Sequence, residues 1–132
     1  MKPFLLLLSL VLIGTTAFAE LPPSAYEKMQ REASEVLRLN VLRVDVEATD
    51  EAGTEDVTLV AEVLKVGRSK AKIKQGDLIT IKYRVVERPK GWAGPGEVPV
   101  PEQATETVAF LNPVEGTADY APAAGAMSFS LF

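Results

Sequence analysis

The chain contains no cysteine and no histidine. Without thiols there is no disulfide framework, so whatever folds must hold by packing alone. The two absences together exclude Ser-His-Asp and Cys-His nucleophilic machinery and the usual zinc ligands. Neither GxGxxG nor GxxxxGK[ST] occurs, so a nucleotide phosphate cradle is missing as well. No cofactor or metal is expected. Aromatic residues make up only 7% of the chain and include a single tryptophan. A surface that stacks nucleic-acid bases has little to be built from. No internal repeat or low-complexity tract is present.

What the chain does have begins with MKPFLLLLSLVLIGTTAFA, residues 1–19. Lys2 gives a positive start. Phe4 to Ile13 is apolar apart from Ser9, and Ala17-Phe18-Ala19 supplies the small-x-small pattern of a cleavage site. This reads as a secretory signal peptide cut near Ala19. The apolar block is shorter than the ~20 residues that span a bilayer. No cysteine follows it to carry a lipid, and no second segment is long enough to cross. The mature protein is expected to be secreted or periplasmic, with residues 20–132 forming one domain.

Ser24 and Glu27, three apart, have the spacing of a capping box. Tyr26, Met29 and Ala33 then recur at helical steps, which predicts a short amphipathic helix over 24–34. Leu37, Leu39 and Val41 alternate with polar residues, and Leu42, Val44, Val46 and Ala48 alternate in the opposite phase. Either the helix runs on and a strand starts late, or one long strand carries a bulge between Val41 and Leu42. The bulged strand is the preferred reading. Residues 50–55 form a turn, and 57–66 a strand apolar on both faces towards its end. Gln75-Gly76-Asp77 is a second turn. Residues 78–87 show the cleanest alternation, with Ile79, Ile81, Tyr83 and Val85 on one face. Strands are also expected over 105–111 and 127–132, with 117–125 a loop. The pattern predicts a mainly β fold: a five-stranded OB-like barrel with one short N-terminal helix.

Two stretches, Ala61–Tyr83 (AEVLKVGRSKAKIKQGDLITIKY) and Val108–Phe129 (VAFLNPVEGTADYAPAAGAMSF), resemble parts of netrin-type domains, the OB-like barrels that include tissue inhibitors of metalloproteinases. The resemblance implies a barrel. It departs from that family in having no cysteine, including the N-terminal one with which the inhibitors chelate a target's zinc; Glu20-Leu21-Pro22 offers no substitute.

Among the carboxylates, Glu62 stands out as the one in an apolar strand context, although a lone strand glutamate is ordinarily solvated. Asp50, Glu51, Glu55 and Asp56 lack the spacing of a calcium loop and read as a charged hairpin tip. A hydrolase using carboxylates alone is a minor third reading of function. Charge is more informative. Net charge is −4, yet Arg68, Lys70, Lys72, Lys74, Lys82, Arg84, Arg88 and Lys90 crowd into 23 residues of sequence against only Asp77 and Glu87. If 68–74 is extended, Arg68, Lys70, Lys72 and Lys74 point one way, and Lys82 and Arg84 share the outward face of the next strand. Such a patch fits an anionic polymer. A solvated edge kept from pairing by its lysines is the competing explanation.

The segment GWAGPGEVPVP, residues 91–101, can form neither helix nor regular strand. It occupies the place where an OB barrel carries its plugging helix. A buried tryptophan covers on the order of 200 Å², equivalent to roughly 5 kcal/mol at most. Trp92, with Val98 and Val100, is therefore expected to close one end of the barrel, aided by Tyr26, Met29 and Ala33. The alternative is an exposed Trp92 that anchors a secreted protein partner, as in a hydrolase inhibitor. Arg68, Lys70, Lys72, Lys74, Lys82, Arg84 and Trp92 are the candidate binding residues of a non-enzymatic binding module.

Overall fold

The two-residue apolar alternation over 37–48 and 78–87 demands a sheet with one face buried. A computed structural model of the protein, which describes residues 21–88, 91 and 96–131, shows how that demand is met. Residues 1–20, where the signal peptide is expected, and Trp92 lie outside the described residues. The elements are α1 (Pro23–Glu32), β1 (Glu35–Ala48), β2 (Thr54–Ser69), β3 (Leu78–Val86), β4 (Glu106–Pro113), β5 (Tyr120–Pro122), a 3₁₀ turn (Gly125–Met127) and β6 (Phe129–Leu131). No helix among the described residues is long and apolar enough to cross a membrane.

The first three strands form an antiparallel meander. β1 returns to pair with β4 over Glu35–Asn40. β5 bridges β4 to β3, meeting β3 in parallel at Ile81 and Tyr120. The ring β1-β2-β3-β5-β4 is thereby closed, in the order of an OB-like barrel. β6 lies outside the ring, on the edge of β4 that β5 leaves open.

The closing strand differs from the expected one. Residues 127–132 were the natural candidate because Met127, Phe129 and Leu131 alternate with serines. Instead Tyr120–Pro122 closes the ring, from within the expected loop 117–125. Three residues cannot display a period, and a proline reads as a strand breaker. Pro122 is accommodated at the last position of a three-residue strand.

The bulge is present where the phase changes. Val41 opposes Ala61 and Arg43 opposes Val60, which leaves Leu42 without an opposite number. Leu37, Leu39 and Val41 are buried before it, and Val44 packs on the core after it. The core comprises Leu37 and Leu39 of β1, Val57, Leu59, Ala61 and Val63 of β2, Ile79 and Ile81 of β3, Ala109 and Leu111 of β4, Phe129 of β6, and Ile73 from a loop.

The helix starts earlier than expected. Pro22 is its N-cap, Pro23 its first residue, and Ser24 makes no capping bond. Proline suits the first helical position, where its missing N–H costs nothing, so Ser24 falls inside the first turn and no capping box forms. Tyr26 and Ala33 are buried, and Gln30 Nε2 donates to the Met127 carbonyl at 2.9 Å. The helix thus docks beside the 3₁₀ turn.

Candidate functional site

The segment between β2 and β3 carries three of the predicted cations, and its shape is set by a residue the charge pattern conceals. β2 ends at Ser69, residues 70 and 71 turn, and Lys72 adopts a left-handed φ of 62°. The stretch 68–74 is therefore not one extended strand, and its four basic residues do not share a strand face. Ile73 drops inward from the turn, 9% exposed, and joins the barrel core. Lys70, Lys72 and Lys74 are left exposed around it.

The turn is built about Glu35. This side chain is completely buried, because Glu35 has the same parity as Leu37, Leu39 and Val41 and so faces the barrel interior at its mouth. Its carboxylate accepts from the Ser69 hydroxyl at 2.6 Å and the Ala71 amide at 2.9 Å, and from the Ser34 hydroxyl. Ser69 Oγ in turn accepts from the Ile73 amide at 2.8 Å. At the far side, Asp77 Oδ2 accepts from the Lys74 amide at 2.9 Å, and the Gly76 amide donates to the Val63 carbonyl at 2.7 Å. Burial pushes the Glu35 carboxyl up, but the two hydroxyls, the Ala71 amide and the positive charge of Lys70 outweigh it and hold the group below the ordinary glutamate value of 4.5. Burial, and the charges of Glu35 and Asp77, raise the Tyr120 phenol nearby. Glu35 is thus a carboxylate at neutral pH, enclosed and fully engaged. Glu62, singled out in the sequence for its apolar strand context and read as solvated, is half-buried.

The remaining predicted cations are occupied elsewhere. Arg68 donates from Nε and Nη2 to the Ala33 carbonyl at 3.0 and 2.6 Å, and from Nη2 to the Gln30 carbonyl at 2.9 Å. It caps the C-terminal end of α1, where carbonyls lack partners and a cation is favoured. Lys82 pairs with Asp119 at 3.6 Å and Arg84 with Asp56 at 2.9 Å. Both stand on the outer face of β3, where each basic side chain is matched by an acidic neighbour. Lys82 and Arg84 thus differ from the lysines of the turn in being paired. Among the described residues, Lys72 and Lys74 make no ion pair.

The opposite end of β2 has the opposite charge. Glu51, Glu55, Glu87 and Glu97 line a cleft of about 530 Å³ beside the β1–β2 turn. No group of three or more acidic side chains among the described residues is arranged to hold a metal.

Part of the Gly/Pro-rich segment packs on the barrel core. Val98 packs on the core, Pro101 is fully buried, and Tyr83 Oη donates to the Pro99 carbonyl at 2.7 Å. The Tyr83 ring lies 6.0 Å from that of Phe129. Val100, expected to join Val98, is turned outward and 38% exposed.

Two features escaped the sequence reading. Glu35 was detectable by extending the Leu37–Leu39–Val41 alternation one step back, which places a carboxylate inside. Ile73 was detectable as the lone large apolar residue among lysines. Comparison with protein-family models, curated proteins and solved structures gives no match, so the netrin-type resemblance rests on its two sequence stretches alone.

Proposed function

We propose that the protein is a non-enzymatic binding module, exported by its leader, that contacts an anionic polymer through the turn bearing Lys70, Lys72 and Lys74. The observation that carries this reading is the contrast among the cations. Arg68, Lys82 and Arg84 are engaged by partners within the chain, whereas Lys72 and Lys74 make no ion pair among the described residues and stand exposed with Lys70 on a turn tied down at both ends. The glutamate-lined cleft at the other end of β2 adds polarity. A polyanion approaching this molecule is drawn to one end and repelled from the other.

The test is retention on a heparin resin under a salt gradient. The full mature chain is expected to bind and to elute earlier as salt rises. The pair Lys70→Glu and Lys72→Glu should abolish retention, while Lys82→Ala with Arg84→Ala should leave it unchanged. Retention that survives the charge reversal would sink the proposal.

A further inference from the structure

Resting on that reading of the lysine turn, we propose that Glu35 is its positioning residue: the enclosed carboxylate, through Ser69 and Ala71, holds Lys70, Lys72 and Lys74 in the arrangement that meets the polyanion. The turn is not self-supporting. Its three ammonium groups repel one another, and Lys72 occupies a left-handed conformation that side-chain-bearing residues rarely adopt. Something must offset both costs. The Glu35 carboxylate accepts from Ser69 and Ala71, and Ser69 passes the constraint to the Ile73 amide. Ile73 then seats the middle of the turn in the core. The backbone that carries the cations is held before any ligand arrives, and a preorganised surface lowers the entropy lost on binding.

This role has a sign that simple electrostatics does not share. Glu35 is a negative charge beside Lys70. If it acted on the ligand only through charge, neutralising it would strengthen polyanion binding. If it acts by holding the turn, neutralising it weakens binding although every lysine remains.

The experiment compares the mature wild-type chain with Glu35→Gln and Ser69→Ala, using a heparin-derived oligosaccharide of fixed length as the probe. Affinity is measured across a salt series, and exchange of the Ala71 and Ile73 amides is followed by NMR. Both variants should bind about tenfold more weakly. The slope of log affinity against log salt should stay that of wild type, because the number of cations engaged is unchanged. Ile73 exchange should quicken in both variants and Ala71 exchange in Glu35→Gln. Ser69→Ala keeps the carboxylate, so it decides the matter if Glu35→Gln does not fold. Equal or tighter binding by both variants, with amide exchange as in wild type, overturns the proposal. Failure of the wild-type chain to bind overturns the polyanion reading and any role of Glu35 in affinity; the amide exchange then still decides whether Glu35 anchors the turn.

Discussion

The Ser69 hydroxyl donates to the Glu35 carboxylate at 2.6 Å while accepting from the Ile73 amide at 2.8 Å. One side chain at the end of β2 therefore joins the head of β1 to the turn that closes the barrel mouth. Polar and apolar closure coincide here: the carboxylate satisfies donors of the turn, and Ile73 fills the space beneath it.

Acid should loosen this mouth first. The Glu35 carboxyl lies below its ordinary value of 4.5 in the folded protein. Its partners are the Ser34 and Ser69 hydroxyls, the Ala71 amide and Lys70, with Tyr120 close by. A depressed folded value stabilises the native state above the unfolded value, and that contribution is lost as pH falls through the folded one. Chemical denaturation across the acid range should show wild-type stability declining below about pH 4.5. In Glu35→Gln the decline should be shallower and start from a lower plateau. Parallel profiles would show that Glu35 is not the group that titrates.

Ile73 should behave as a core residue despite its lysine neighbours. Ile73→Ala removes buried apolar atoms from the barrel mouth and should cost about 2–4 kcal/mol. Leu78, five residues on, is 65% exposed, and Leu78→Ala should change stability by no more than about 0.5 kcal/mol. Urea unfolding of the two variants checks the contrast. A similar small effect at both positions would mean that Ile73 does not fill the mouth.

The long strands were legible because their burial is periodic. Ile79 and Ile81, Val57 through Val63, and the phase change at Leu42 are all written as two-residue alternation, and each appears in the fold at its expected place. The closing strand was not, since Tyr120–Pro122 is too short to carry a period and is defined only by its pairing with Leu111 and Ile81. The lysine turn was misread for a related reason. Alternating charges imitate a strand face, whereas the backbone turns because a buried carboxylate and a buried isoleucine pull it inward. Which cations are free is a tertiary property: Arg68 meets Ala33, and Lys82 meets Asp119, only after folding.

Tyr83 should report on the other end of the barrel. Its hydroxyl bonds the Pro99 carbonyl, and burial pushes its phenol well above the ordinary value of 10. An ultraviolet titration should show a late-ionising component to which Tyr120 also contributes, and Tyr83→Phe should remove its Tyr83 part. The same variant should cost about 1 kcal/mol through the lost hydrogen bond. Because the folded phenol ionises later than the unfolded one, wild-type stability should fall as pH rises above about 10. Tyr83→Phe should lack this part of the alkaline decline.

Arg68 tests whether the sorting of cations is right. Its guanidinium reaches two carbonyls at the end of α1 with a forked geometry that a lysine ammonium cannot reproduce. Arg68→Met should therefore lower stability by about 1–2 kcal/mol, the usual size of hydrogen bonds to a charged donor reduced for partial exposure. Arg68→Lys should recover only part of this. Far-ultraviolet circular dichroism should show weakened helix in Arg68→Met, since the carbonyls of Gln30 and Ala33 lose their donor. Heparin retention, by contrast, should stay close to wild type, because this charge is spent on the helix. If Arg68→Met keeps its helix signal and stability but loses retention as the pair Lys70→Glu and Lys72→Glu should, Arg68 belongs to the contact surface and the lysine turn is only part of it.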